Sequence, residues 1–255
     1  MPTARESTLT NRRICIQRAI DLMRTDLGAP LRLAHLARAA GMSEYHFTRI
    51  FHQSTGLSPL RFLAALRLAK ARDMLVSTDE RVIEIGLEVG YSSIGTFTRR
   101  FTELVGISPL RLRQYSRARA VPATATRRCA GAEIRVRLCW PEEARGDAAG
   151  PALVAAFPSP LPFGVPVACA IAEPGSSPSL AGLGLGRYYL FAFASLDQAA
   201  FSASPVALTI DDVTRPYDVV IALRLFEVTD PPLLSFEPFI LQRCSNMTPT
   251  APGTK

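Results

Sequence analysis

Lysine and histidine, two residue types that often serve in active sites, are scarce in this sequence of 255 residues. Only Lys70 and Lys255 are lysines, so arginine supplies all but two of the 29 basic side chains. The three histidines, His35, His46 and His52, all lie in the first quarter of the chain. Because the second half has no histidine for a Ser/His/Asp or Cys/His set, we predict that the protein is not an enzyme and binds no cofactor.

Cysteine is also rare, with five positions that are odd in number and widely separated (Cys15, Cys129, Cys139, Cys169 and Cys244). This spacing predicts neither a disulfide framework nor a set of metal ligands. His46 and His52 are six residues apart and therefore do not share a helix face, so they predict no metal site either.

A membrane segment is not expected. Residues 151–172 carry no charge, but they contain five prolines, and a spanning helix could not satisfy its backbone groups around them. The N-terminal residues lack the apolar core of a secretory signal. We expect a cytoplasmic protein that has no membrane partner.

Charge is distributed unevenly between the halves of the chain. Residues 1–120 hold 19 basic and 10 acidic residues, a net charge of +9, whereas residues 121–255 have a net charge of −2. This asymmetry indicates that only the first half meets a polyanion. Arginine suits that partner, because its planar fork fits both phosphate groups and guanine edges.

An internal repeat with an offset of 50 residues is the most informative feature of the first half. Its matching pairs are Phe47 with Phe97, Thr48-Arg49 with Thr98-Arg99, Phe51 with Phe101, Gly56 with Gly106, and Ser58–Arg61 with Ser108–Arg111. The turn glycines Gly41 and Gly90 are offset by 49, which predicts one extra residue in the second turn.

Each copy of the repeat predicts a helix, a tight turn and a second helix. Glycine terminates the first helix, and a serine caps the next one, Ser43 in the first copy and Ser92 or Ser93 in the second. The phenylalanines fall at helical spacing and are predicted to face the core, which leaves the Thr-Arg pairs pointing outward. The stretch 59–78 predicts a helix of ~18 residues, or about 27 Å at ~1.5 Å per residue, long enough to hold two recognition helices about one DNA turn apart.

These features together resemble the AraC/XylS family of bacterial transcriptional regulators over about residues 12–117. The resemblance implies seven helices, the third and sixth entering adjacent major grooves of double-stranded DNA. In the first repeat it places Tyr45, Thr48 and Arg49 on the bases and Ser43, His46 and His52 nearer the phosphates. In the second repeat it places Gly95, Thr96, Thr98 and Arg99 on the bases and Ser92, Ser93 and Arg100 nearer the backbone.

The second repeat departs from the family pattern at Ile94-Gly95, where polar residues are usual. Neither side chain can hydrogen-bond a base edge, although Ile94 could meet a thymine methyl group. We therefore expect the second repeat to anchor at least as much as it specifies. Gly86 replaces a more usual alanine, which weakens helix propensity but suits close packing.

The second half predicts strands separated by turns, at spacings typical of an antiparallel sandwich or barrel. The predicted strands are 133–140, 152–157, 165–171, 187–194, 205–210, 218–228 and 232–241. The glycine-rich stretch 182–186 leads into a strand-like run and therefore predicts a turn or bulge, and Asp211-Asp212 predicts a turn. The expected fold class is α + β multidomain, with an all-α double helix-turn-helix domain followed by a mainly β domain.

We predict a DNA-binding domain over residues 1–119, a linker over 120–131, a β-rich domain over 132–245 and a disordered tail over 246–255. The predicted function is sequence-specific regulation of transcription, in the nucleoid. The family resemblance implies that the β-rich domain senses a small-molecule effector or mediates dimerisation, and it leaves RNA polymerase open as a partner. The alternatives are an enzyme or ligand-binding β domain with an appended DNA-binding module, a non-specific architectural DNA protein, and a β domain that only stabilises.

Overall fold

The computed structural model of the chain describes residues 4–118, 131–142, 150–173, 175–196, 199–232 and 234. Their contacts divide them into two compact units, a helical domain and a β domain. The segment Glu227–Leu234 groups with the helical domain, although the sequence predicted that it belongs to the β-rich half.

The described part of the helical domain has seven helices. They are α1 (Ala4–Thr25), α2 (Leu33–Ala39), α3 (Glu44–Thr55), α4 (Pro59–Ser77), α5 (Val82–Glu88), α6 (Ile94–Val105) and α7 (Pro109–Ala118). The first repeat is α2 and α3, and the second repeat is α5 and α6. This is the number and order of helices that the family resemblance implies.

Helix α4 lies at the centre of the helical domain and contacts each of the other six helices. It begins with Pro59 at the first helical position, after the N-cap residue Ser58, where the missing N–H of proline costs nothing. Phe62, Leu68 and Ala71 are fully buried. Such an interior helix is apolar around much of its circumference, and its 19 residues correspond to about 28 Å at ~1.5 Å per residue.

Phenylalanine rings form the core of both repeats, as the helical spacing predicted. The ring centroids of Phe47 and Phe51 are 5.3 Å apart, and those of Phe97 and Phe101 are 5.6 Å apart. All four side chains are fully buried. The close packing expected at Gly86 is present too, because a Cβ atom there would lie 3.2 Å from Cδ1 of Phe97.

The described part of the β domain contains nine strands. They are β1 (Ala132–Cys139), β2 (Ala152–Phe157), β3 (Ala168–Ala172), β4 (Ser179–Leu183), β5 (Gly186–Leu196), β6 (Ala199–Ser202), β7 (Val206–Ile210), β8 (Tyr217–Ala222) and β9 (Arg224–Leu225). Strands β4 and β6 were not predicted from the sequence. Most of the strand predicted over 232–241, like the linker and the tail, lies outside the described residues.

The strands form two sheets. The first has the order β4-β1-β8, and the second has the order β3-β2-β5-β6-β9, with β7 also paired to β5. Strands β1 and β8 run parallel, so the expectation of a wholly antiparallel arrangement was wrong. A parallel pair needs a long connection, and here the connection contains β4 and every strand of the second sheet except β9.

Both sheets contribute to one hydrophobic cluster, which includes Ile134 and Val136 from β1 and Val154 from β2. All six residues of β2 are buried, because Leu153, Ala155 and Phe157 belong to a second cluster. Strand β1 alternates buried Ile134 and Val136 with exposed arginines, so one of its faces is apolar and the other is polar.

The glycine-rich stretch and the Asp211-Asp212 pair both have structural roles. The register of β1 and β4 shifts at a bulge that includes Gly182, at φ +81°. Between β7 and β8, the Tyr217 hydroxyl and Arg215 Nη2 both donate to Asp211 Oδ1, at 2.5 and 2.8 Å. These two donors lower the pKa of Asp211 to about 2.

The structure describes residues 151–172, where no membrane helix was expected, and three of the five cysteines. Residues 152–157 and 168–172 form an antiparallel strand pair, and no described helix has both the length and the apolar character that crossing a membrane requires. Cys15 and Cys139 are free thiols.

Gly56 ends α3 at φ +73°, and it offers a test of the repeat's turn geometry. A Cβ atom there would meet no atom within 4 Å, so Gly56→Ala adds only the strain of the left-handed conformation. We expect it to lower the free energy of unfolding of the helical domain by about 1 kcal/mol, measured by urea denaturation with circular dichroism. Gly95→Ala, at an open position inside α6, is the matched control and should not destabilise; an equal loss in both variants would refute this explanation.

Candidate nucleic-acid interface

The two recognition helices begin in the same way but after turns of different length. Gly41 (φ +67°) is followed after one residue by Ser43, whereas Gly90 (φ +89°) is followed after two residues by Ser93. Ser43 Oγ accepts from the backbone N–H of His46, and Ser93 Oγ accepts from that of Thr96. The extra residue predicted in the second turn is confirmed, and the cap is Ser93 rather than Ser92.

The outer face of α3 carries polar side chains at helical spacing, namely Tyr45, Thr48, Arg49 and His52. Tyr45 is 83% exposed. Arg49 Nη2 donates to Nδ1 of His46 at 3.4 Å, so the histidine orients the arginine fork. This face offers a planar donor, a phenol and a hydroxyl, the groups that read base edges in a major groove.

The outer face of α6 carries the equivalent positions, Gly95, Thr98, Arg99 and Thr102, but a different surface. These four residues, with Ile94 and Glu103, line an open depression of about 630 Å³ whose exposed atoms are mainly apolar. Ile94 is 43% exposed. Gly95 takes the place of Tyr45, and the missing side chain leaves the space open, since a Cβ there would have only Ser93 Oγ near it, at 3.8 Å.

The two neighbouring arginines of α6 have different surroundings. Arg100 Nη1 donates to Glu103 Oε2 at 3.3 Å, and both side chains are about half exposed. Arg99 is exposed, and it pairs with no carboxylate in the described residues. An exposed ion pair contributes only about 0–1 kcal/mol, so Arg100 can leave Glu103 and bind a phosphate instead. Arg99 would not first have to break such a contact.

The thirteen residues predicted to meet DNA all lie on or just before the two recognition helices, and none is buried. Ten are exposed; His46, Thr48 and Thr98 are partly buried. Thr102 and Glu103 line the same surface but were not predicted. Applying the 50-residue offset to His52, which was predicted, would have found Thr102.

Residues 36–115 match the family model described as a helix-turn-helix domain. These residues are a helix-turn-helix domain. The resemblance to AraC/XylS regulators is confirmed for this part of the chain. The helix-turn-helix domain thus contains α3 and α6 and the exposed faces described above.

Relatives of the helix-turn-helix domain are named as regulators of transcription. An HTH-type transcriptional regulator of Mycobacterium tuberculosis is 38% identical over 82 residues, which are 32% of this chain and 32% of that protein. The MmsAB operon regulatory protein of Pseudomonas aeruginosa is 35% identical over 92 residues, 36% of this chain and 30% of that protein. The chain therefore spans about a third of the length of the curated relatives it matches.

Solved structures are similar to part of the chain as well. A transcriptional regulator from Chromobacterium violaceum, described as having an AraC-type DNA-binding domain, is 29% identical, with 41% of this chain and 93% of that chain covered and a TM-score of 0.40. The DNA-binding domain of AdpA, solved in complex with a target DNA, is also 29% identical, with 41% and 94% covered and a TM-score of 0.40.

The cap of α6 can be tested with its two adjacent serines. Ser93→Ala removes the acceptor for the Thr96 N–H and should lower the free energy of unfolding of the helical domain by about 1 kcal/mol. Ser92→Ala is the matched control, since Ser92 is exposed and outside the cap, and its effect should stay within about 0.5 kcal/mol. Urea denaturation followed by circular dichroism measures both. A larger loss for Ser92→Ala would show that the cap is assigned to the wrong serine.

Proposed function

We propose that the chain is a sequence-specific transcriptional regulator that places α3 and α6 in adjacent major grooves of double-stranded DNA. The observation that carries this proposal is the equivalence of the two helix faces. Thr48-Arg49 and Thr98-Arg99 occupy the same positions of a repeated fold, and both arginines are exposed. Helix α4 separates the repeats, and its length of about 28 Å at ~1.5 Å per residue is comparable with the rise of one DNA turn, roughly 34 Å.

Arg49 and Arg99 are the main base-reading residues in this proposal. Each arginine fork can donate two hydrogen bonds to O6 and N7 of a guanine, a contact that discriminates against other bases by about 1–3 kcal/mol. Tyr45 extends the polar surface of α3, and Arg100 on α6 contacts phosphate. The net charge of +9 in residues 1–120 supplies the non-specific attraction that brings DNA to both helices.

The second repeat anchors more than it reads, because its surface has fewer hydrogen-bonding groups. The depression around Ile94, Gly95 and Thr98 is mainly apolar, and the C5-methyl group of thymine is the one apolar group in the major groove. We therefore assign thymine, rather than guanine alone, to the half-site that faces α6.

The β domain has the regulatory role in this proposal, which rests on the family resemblance: it responds to a small-molecule effector or pairs two copies of the chain. RNA polymerase is the partner that the regulator would contact at a promoter. The alternative is a ligand-binding or enzymatic β domain that only carries a DNA-binding module. A ligand of the β domain that changes the affinity of the full chain for DNA supports the regulatory role, and a bound ligand that leaves this affinity unchanged favours the alternative.

Base reading by the arginines can be tested with the full chain on a site selected from random DNA. Arg49→Ala and Arg99→Ala should each weaken binding to the selected site by about 1–3 kcal/mol more than binding to scrambled DNA, measured by fluorescence anisotropy at fixed salt. Arg100→Ala should weaken both DNAs about equally, because a phosphate contact carries no sequence information.

Arg24→Ala provides the matched control, since it removes the same charge from α1, outside both repeats. It should change the affinity for either DNA less than the α3 and α6 variants do. Failure to select any sequence, with equal binding to scrambled DNA, would contradict specific regulation and favour the architectural alternative.

Thymine contact by α6 can be tested by replacing each thymine of the second half-site with deoxyuridine, which removes only the C5-methyl group. At the base that faces Ile94, this change should cost about 0.8 kcal/mol, the value of one buried methyl-sized group. The loss should vanish in Ile94→Ser, where the apolar partner is absent. If every deoxyuridine is neutral in the wild-type protein, the depression does not receive a methyl group.

A further inference from the structure

Arg67 of α4 connects the backbones of the two repeats. Its Nε donates to the Leu27 carbonyl oxygen at 2.8 Å and its Nη2 donates to the Ala29 carbonyl oxygen at 2.6 Å, both in the loop before α2. Its Nη1 donates to the carbonyl oxygen of Gly90, in the turn before α6, at 3.4 Å. One guanidinium group therefore binds the loop that leads into the first repeat and the turn inside the second repeat.

The chemistry of this contact requires arginine. All three acceptors are neutral carbonyl groups, and burial lowers the pKa of Arg67, partly offset by the nearby Tyr91. A guanidinium stays protonated at neutral pH even so, and its rigid fork directs N–H groups at several acceptors at once. A lysine would place a single point charge there and could not hold all three carbonyls in one geometry.

Glycines allow the two segments to approach each other this closely. A Cβ atom at Gly28 would lie 2.6 Å from the carbonyl oxygen of Glu88, in the second repeat. A Cβ atom at Gly90 would lie 2.8 Å from Arg67 Nη2 and 3.0 Å from the Leu27 carbonyl oxygen. Backbone therefore packs directly against backbone at this junction, which leaves little room for one repeat to move relative to the other.

The internal repeat provides an arginine at the position equivalent to Arg67, with which Arg67 can be compared. Arg117 lies 50 residues later, and its Nη2 donates to Asp79 Oδ1 at 2.5 Å. Asp79 is itself 50 residues after Ala29. Both arginines thus contact a loop that precedes a repeat. Arg67 also contacts the second repeat, at Gly90, whereas the Arg117 side chain is 61% exposed.

A displacement of Gly90 would be transmitted to the recognition helix. Tyr91 follows Gly90, and its ring packs edge-on against Phe97 of α6, with centroids 5.4 Å apart. Phe97 is fully buried, so α6 is tied through its core face to the turn that Arg67 binds.

We propose that Arg67 is a positioning residue that holds the second repeat in one orientation to the first, so that α3 and α6 engage two half-sites at a single spacing. The inference rests on the proposed function, because the spacing matters only if both helices bind DNA. The orientation itself can be measured in the absence of DNA.

The first experiment measures the distance between the repeats in the full chain without DNA. Spin labels are introduced through non-canonical amino acids at the exposed, equivalent positions Gln53 and Glu103, so that the native cysteines stay unchanged. We expect a narrow distance distribution in the labelled parent and in Arg117→Ala, and a broadened or shifted distribution in Arg67→Lys and Arg67→Ala. Circular dichroism shows which variants are folded. If Arg67→Ala is not folded, Arg67→Lys still provides the test.

A second variant tests the same junction without touching the arginine. Gly28→Ala pushes a methyl group against the Glu88 carbonyl and should also broaden the distance distribution. If folded Arg67→Lys and Gly28→Ala both retain the narrow distribution, the positioning role is refuted, whatever the protein does with DNA.

The second experiment measures spacing selectivity on DNA. On two half-sites at the preferred spacing, Arg67→Lys should bind about tenfold more weakly, while binding to a single half-site should change less than about twofold. Inserting about half a DNA turn, roughly 5 base pairs, between the half-sites should lower the affinity of the parent and of Arg117→Ala more than that of Arg67→Lys. An equal penalty in all three proteins would overturn the proposal, whereas absence of DNA binding in the parent would contradict the proposed function and leave the distance measurement to decide the role of Arg67.

Discussion

Burial of α4 organises the helical domain, because this one helix contacts all six others. Hydrophobic burial is strong but non-directional, so apolar packing alone would let neighbouring helices slide along α4. Two arginines add direction. Arg67 binds carbonyl groups of both repeats, and buried Arg113 of α7 donates to the Leu75 carbonyl, bringing positive charge to a helix end that has no basic residue of its own.

The two repeats have equivalent cores but different exposed surfaces. Their buried phenylalanine pairs are equivalent and have similar ring separations, because the core accepts only side chains of suitable volume. Their exposed positions differ: Tyr45 corresponds to Gly95, and His52 corresponds to Thr102. Since an exposed side chain contributes little to stability, the exposed surface of α6 can be apolar and open while the fold of the repeat stays the same.

Predictability differed between the domains for a physical reason. The helices of the two repeats, α4 and the glycines that end the helices depend on residues within about one helical turn, and these were predicted, whereas the cap of α6 was narrowed only to Ser92 or Ser93. The strands β4 (SLAGL) and β6 (AAFS) were missed because they are rich in small residues and lack the β-branched alternation that predicts a strand. The parallel pairing of β1 with β8 joins residues about 83 positions apart, and no local pattern specifies such a partner.

The sequence by itself determined the double repeat, the outward Thr-Arg pairs and the basic character of the DNA-binding half, because periodicity, capping and charge are properties of neighbouring residues. The tertiary structure decided the rest. It selected Ser93 over Ser92 as the cap, formed the apolar depression on α6, and gave Arg67 partners 40 and 23 residues away. Those contacts depend on how separate helices pack around α4, and this packing is determined by the whole domain rather than by any single segment.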